Sequence, residues 1–227
     1  MEVIPGVLAV MAHPDDAELR CFGTLCKFVS RGYRAAVLVM CAGENGTSLH
    51  DRRVLGTTIP PGHRVEESRR AFDGTGVSVE CCDLPDGKLR ADRQLVVPIE
   101  ERLRQYAPQI VITHFLDQSG VDHSDHTEVA KAVQNVAARV AGVSRVLECE
   151  PLLAVRSGFV PNHFTDITPF FQRKMDALKC HATQAGRYYL TDAFHETRSR
   201  FYAGGVSFHA ASADAKFEAF RVTFSVD

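Results

Sequence analysis

The stretch AVMAHPDDAEL (residues 9–19) decides how the rest of the chain is read. An apolar run, GVLAVMA (6–12), stops abruptly at a histidine, a proline and two aspartates. A short continuous apolar run bounded by turn residues predicts a buried strand. A second pattern follows, DAELRCFGTLCKFVSRG (16–32), apolar at helical spacing and closing on Gly32, which predicts one helix. A turn or a helix cap explains an aspartate pair by itself. Three ionisable groups at the mouth of a buried strand also suit a site, and the rest of the chain decides between the two.

The same alternation continues downstream. RAAVLVMC (34–41), VSVECCDL (77–84) and QIVITH (109–114) predict three more strands, and residues 63–74, 92–106 and 124–142 predict helices. In the last of these, Val129, Val133, Val136 and Ala137 share a face, Ser124 serves as cap and Gly142 as stop. Strands alternating with helices predict an α/β fold: βαβ units building a mostly parallel sheet flanked by helices. Residues 42–62 are rich in Gly, Thr and Pro, and a loop of that length is more often functional than idle. The last third is less regular. Residues 151–157 and 164–168 predict short strands, 169–182 a helix with Pro169 in its first turn, and 216–224 a final strand. No repeat, linker or low-complexity segment divides the chain, so residues 1–227 read as a single domain.

Composition narrows the function classes. With 45% hydrophobic and 24% charged residues, the 227-residue chain can bury a core without disulfides. A net charge of −2 leaves no footprint for nucleic acid or an anionic membrane. The seven cysteines are odd in number, scattered and without a C-x-x-C pair, which reads as reduced buried thiols. The N-terminus lacks the basic region of a signal peptide, and no apolar run is long enough to span a membrane. A cytoplasmic protein is expected, free to self-associate.

The chemistry concentrates in two stretches. HPDD supplies His13, Asp15 and Asp16; DHSDH supplies Asp122, His123, Asp125 and His126. Both fall at carboxyl ends of predicted strands, where open parallel sheets bind ligands. Histidine with carboxylate suits Zn²⁺, and equally Fe²⁺ or Mn²⁺. Catalytic zinc takes three protein ligands and leaves a position for water, and His13, Asp16 and His126 make such a set. Asp15 then stays off the metal as a base, and His123 is a donor for an oxyanion. Against this stands the plainer reading of an aspartate helix cap and two surface histidines. Glu44, Asn45, Asp86 and Arg64 fall near the expected site; of these Arg64 is favoured as a substrate contact. No G-x-G-x-x-G or G-x-x-x-x-G-K-[ST] follows a strand, which weighs against a metal-free nucleotide-sugar-binding protein.

AHPDDAEL with a later HSDH resembles the PIG-L (LmbE-like) zinc-dependent N-deacetylases. The resemblance extends to HRVEESRRAF (Arg64, Glu67, Ala71), DLPDG (83–87), VITH, the FTDIT…K…AL…H.TQ segment (Asp166, Lys174, Ala177, Leu178, His181, Gln184) and FEAFRV. It implies a Rossmann-like sheet and removal of acetyl from an N-acetylglucosaminyl group on a small-molecule glycoside. It also implies His13, Asp16 and His126 as metal ligands, Asp15 as general base and His123 as the oxyanion-stabilising histidine. Two positions depart from the family pattern. Ala17 precedes Glu18 where the acid often follows the aspartates directly, and Ser124 replaces the proline of HPDH. Neither removes a ligand or the base. The alternatives are an ester or amide hydrolase acting on a non-sugar metabolite, and the metal-free nucleotide-sugar binder.

Overall fold

A computed structural model describes residues 4–117, 122–206, 212 and 214–226. Seven strands form one sheet: β1 (Gly6–Met11), β2 (Arg34–Cys41), β3 (Val77–Leu84), β4 (Ile110–His114), β5 (Arg145–Cys149), β6 (His163–Asp166) and β7 (Phe217–Ser225). Their spatial order is β3-β2-β1-β4-β5-β7-β6. The first five pair in parallel, with Val7 opposite Ala35 on β2 and Ile110 on β4. β7 runs antiparallel to both β5 and β6. The expected mostly parallel α/β sheet is therefore present. The strand order reverses between β1 and β4, and that crevice is where such sheets bind ligands.

Helices cover both faces, which is why the central strands are apolar throughout. On one face Val7, Ala9 and Val37 pack against Phe22, Leu25, Phe72 and Ala177. These come from α2 (Phe22–Ser30), the C-cap of α4 (His63–Ala71) and α8 (Phe171–Lys179). On the other, Leu8, Val10 and Val111 pack against Leu95 and Ile99 of α5 (Arg93–Tyr106) and Val129 and Val133 of α6 (Ser124–Ala137). Burying each such side chain stabilises the fold by roughly 1.5–3 kcal/mol. No helix among the described residues is long and apolar enough to cross a membrane.

Several local expectations change. The helix expected over 16–32 is two helices, α1 (Asp16–Arg20) and α2, broken at Cys21. The break frees N–H groups at the start of α2, and Glu218 of β7 accepts from Gly23 N (3.1 Å), Thr24 N (2.8 Å) and Thr24 Oγ1 (2.6 Å). Lys174 of α8 completes this buried cluster at 2.8 Å from Glu218. Gly23 has to be glycine: a Cβ there would lie 2.6 Å from Ile167 Cβ. The loop at 42–62 contains a short helix, α3 (Leu49–Val54), capped by Ser48. The strand expected at 151–157 is instead the short helix α7 (Ala154–Ser157), closed by Gly158 at φ 68°. The sheet takes its next strand from 145–149, and a further helix, α9 (Asp192–Val206), precedes β7. The cap of α6 is His123, whose Nδ1 accepts from Asp125 N–H at 3.2 Å, rather than Ser124. That helix stops at Ala137, short of Gly142.

Candidate metal centre

The HPDD turn leaves the carboxyl end of β1 and closes on itself. Asp16 Oδ2 accepts His13 N–H at 2.8 Å, and Asp16 N–H points back to His13 O at 3.3 Å. This forces Asp15 to φ 106°, a left-handed conformation that costs a non-glycine residue of order 1–3 kcal/mol. Across the crevice, the first turn of α6 presents His126. His13 Nδ1 lies 3.1 Å from His126 Nε2 and 3.4 Å from Asp16 Oδ2, and His126 Nε2 lies 3.3 Å from Asp16 Oδ1. All three residues are buried. Ligand atoms about 2.0–2.1 Å from a tetrahedral zinc ion stand about 3.3 Å apart, so this triangle has the dimensions of one face of such a site.

The outer nitrogens of both rings face carboxylates. His13 Nε2 is 3.2 Å from Asp86 and 3.5 Å from Asp125; His126 Nδ1 is 3.3 Å from Asp122. Carboxylates placed there favour protons on the outer nitrogens, which would leave the inner lone pairs facing each other, the arrangement that orients metal-binding histidines. Two lone pairs 3.1 Å apart need a cation between them or a proton. The charges agree. Burial alone lowers the His13 and His126 pKa values, but the surrounding aspartates outweigh it and raise both. Burial raises the Asp16 pKa, but His126 and His114 hold it well below the usual carboxylate range. The residues fit a divalent ion that would displace those protons.

A second group, His13, Cys41, Asp86 and Asp125, also converges. Its members are already engaged. Asp86 Oδ2 accepts Asn45 N–H (2.8 Å), Asp125 accepts Gly87 N–H (2.8 Å) and Leu89 N–H (3.2 Å), and Cys41 Sγ donates to Ala12 O (3.0 Å). This set braces His13 from behind. Contact with His13 also holds the Asp86 pKa at about 2, against the effect of burial.

Asp15 is not among the converging ligand atoms; it pairs with a buried Arg64 whose Nη2 donates to it at 2.9 Å and to Pro14 O at 2.6 Å. Burial raises the Asp15 pKa, opposed by Arg64 and helped by Asp16 and Glu18. Arg64 also donates to Gly43 O at 3.1 Å. A Cβ on Gly43 or Gly46 would lie 2.5 Å from its Nη1, which explains the glycines of AGENG. Arg64, expected against a substrate, is only 4% exposed; its Nη1 and Nη2 donate to Asp15 and two backbone carbonyls, and its buried Nε is left without a hydrogen-bond partner among the described residues. His123 packs its ring edge-on to His13 with centroids 4.6 Å apart. Because its Nδ1 accepts the helix-cap bond, the ring proton sits on Nε2. Burial, with the His13 and His126 charges, lowers its pKa and keeps it a neutral donor.

Sequence reasoning passes over His114. It ends β4, its Nε2 accepts Ala12 N–H at 2.9 Å, and its ring stacks on His126 at 4.1 Å and 8°. The signal for it was a histidine closing an otherwise apolar strand. Asp86 and Asp125 were visible as acids in motif stretches, but their task, bracing His13 from 73 and 112 residues away, was not.

An α/β sheet that brings a His–Asp–His group able to hold a cation to its strand-order reversal defines the class. The model of the GlcNAc-PI de-N-acetylase (PIG-L) family matches residues 8–137, and the chain belongs to that family. It is 28% identical over 188 residues to the 4-oxalmesaconate hydratase of Pseudomonas putida, covering 78% of this chain and 73% of that one. It is 30% identical over 178 residues to 1D-myo-inositol 2-acetamido-2-deoxy-alpha-D-glucopyranoside deacetylase 1 of Saccharopolyspora erythraea, covering 65% of this chain and 58% of that protein. Among solved structures, the 4-carboxy-2-hydroxymuconate hydratase of Pseudomonas putida superposes with a TM-score of 0.84 at 23% identity, over 99% of this chain and 98% of that one. Relatives thus include both deacetylases and a hydratase.

Proposed function

We propose that the protein is a zinc-dependent deacetylase that hydrolyses the acetamido group of an N-acetylglucosaminyl substrate to a free amine and acetate. The observation that carries it is the 3.1–3.4 Å triangle of His13, Asp16 and His126, with a second carboxylate, Asp15, beside it and off it. An ion held there, zinc or in its place Fe²⁺ or Mn²⁺, supplies Lewis acidity toward the amide carbonyl and acidifies the attacking water. Asp15, fixed by Arg64, accepts the proton of that water and returns it to the departing amine. His123 Nε2–H donates to the oxygen that becomes negative at the carbonyl.

Hydration of an unsaturated acid is the second reading, favoured by the name of the Pseudomonas putida relative. An anionic substrate calls for free cations at the site. Arg20 is ion-paired to Asp122 and Arg64 to Asp15, and that pairing is what supports the neutral amide over an acid. The test is a screen of zinc-loaded protein for acetate release from N-acetylglucosaminides. Acetate and amine should form one to one, and Asp15→Asn should lose about 10²–10⁴-fold in kcat with zinc still bound. No acetate, with consumption of an unsaturated acid instead, would overturn the reading in favour of hydration.

A further inference from the structure

We propose that the groove beyond the carboxyl end of β5 binds an apolar aglycone, a hydrocarbon or aromatic group linked to the acetamido sugar. The sugar part of this assignment rests on the deacetylase reading; the groove does not. It encloses about 860 Å³, the size of a small-molecule site. Its walls are Leu152, Val155, Phe159, Tyr188, Phe201 and Tyr202. Val155 is 99% exposed, Phe201 75% and Tyr188 57%, so large apolar side chains face water. The polar groups at its floor are matched internally. Glu150 accepts from Arg198 Nε (2.7 Å) and from Tyr202 OH (2.5 Å), and the Arg198 guanidinium lies over the Phe194 ring at 5.2 Å. Arg156, exposed and without an ion-pair partner among the described residues, is the one lining charge left unmatched; the remaining large side chains of the groove are apolar, so an apolar group is the occupant that fits it best.

Both walls run back to the metal centre. On one side, Arg20 donates to Glu150 O at 3.1 Å and to Asp122 at 3.1 Å, placing a groove residue one guanidinium from the carboxylate behind His126. Phe159 packs edge-on against Phe115, the residue after β4, at 5.1 Å. On the other side, Tyr188 packs against Tyr189 at 5.5 Å, and Arg187 joins Tyr189 OH to Gly46 O in the loop that Arg64 holds. β5 is two strands from β1, about 10 Å across the sheet. A group attached to a sugar at the triangle reaches that far. This continuity singles out a part of the substrate as occupant, rather than a second copy of the chain.

Each methylene moved from water to an apolar wall is worth roughly a factor of four. Partial burial of an octyl chain in an open groove therefore predicts kcat/KM about 30-fold higher for octyl than for methyl N-acetylglucosaminide. The experiment measures that ratio for wild type, Val155→Asp and Phe201→Asp, with calorimetric binding of octyl glucoside, which has no acetyl group. Both side chains are exposed, so the variants fold, and each ratio is normalised on its own protein. Expected are a high ratio and octyl glucoside binding in wild type, both collapsing toward methyl glucoside behaviour in the variants. Octyl glucoside binding that the variants abolish, without acetate release from either glycoside, would leave the groove standing and remove the deacetylase reading. A ratio near one with no octyl glucoside binding would overturn the groove. So would a dimer, detected by light scattering, that the same variants dissociate and that excludes octyl glucoside.

Discussion

Replacing Asp122 by asparagine tests the brace behind the candidate metal ligands. Asp122 Oδ1 lies 3.3 Å from His126 Nδ1 and accepts His123 N–H at 2.8 Å, and Oδ2 lies 3.1 Å from Arg20. Burial works against its charge, but His126 and Arg20 hold its pKa far below the usual range. The amide keeps the size and loses the charge. His126 then loses the anion that keeps its outer nitrogen protonated and its inner lone pair basic, a loss worth 10–100-fold in metal affinity, or about 1.4–2.7 kcal/mol. Arg20, whose side chain is 1% exposed, keeps only Asp16 Oδ1 at 3.6 Å as a carboxylate partner. An uncompensated buried charge of this kind costs up to about 3 kcal/mol of folding stability, and Arg20 then competes with the ion for Asp16. The assay is a zinc titration of metal-free protein against a fluorescent chelator, with thermal unfolding in parallel. We expect zinc affinity to fall 10–100-fold and turnover to recover largely at saturating zinc. A folded variant with zinc affinity within about twofold of wild type would refute the brace.

His123→Ala should lower kcat by about 10²–10³ with zinc stoichiometry unchanged, and should cost about 1 kcal/mol of stability through the lost α6 cap. His123→Asn restores the cap without the catalytic donor, so its melting temperature should return while kcat stays low; an unchanged kcat in both removes His123 from the chemistry. Glu148 tests the sheet beside the site. It is 1% exposed, and burial raises its pKa from 4.5 to about 7 despite the nearby Arg221. A carboxyl pKa raised on folding favours the folded state fully below the unfolded value, and that benefit is lost as pH rises toward 7. Denaturant unfolding should therefore show wild type losing stability relative to Glu148→Gln between about pH 5 and pH 8, by up to about 3 kcal/mol; parallel pH dependence of the two proteins would exclude this.

The parts of the fold legible in the sequence were those set by local pattern. GVLAVM and RAAVLVMC could only be strands buried on both faces, and the valine face of 124–137 could only be a helix. Long-range partners decided the rest. The split between α1 and α2 follows from Glu218, almost two hundred residues later, capping Gly23 and Thr24. PLLAV looks like a strand, but Leu152 and Leu153 face the groove rather than the sheet. RVLEC, with two charged residues, hides a strand whose Glu148 is satisfied by Leu116 N–H and Gln134. At the site, histidine and aspartate at short spacing named the triangle. Nothing local could say that Arg64 turns inward to Asp15, that Asp86 stands behind His13, or that His114 lies flat against His126.

The central claim is that one ion sits between His13, Asp16 and His126 and that Asp15 stays off it. Anomalous diffraction at the zinc absorption edge from crystals of zinc-loaded protein tests it directly. The account predicts one peak about 2.0–2.2 Å from His13 Nδ1, an Asp16 carboxylate oxygen and His126 Nε2, with Asp15 beyond bonding distance. A peak bonded to Asp15, or one among Cys41, Asp86 and Asp125 on the far side of the His13 ring, would contradict it.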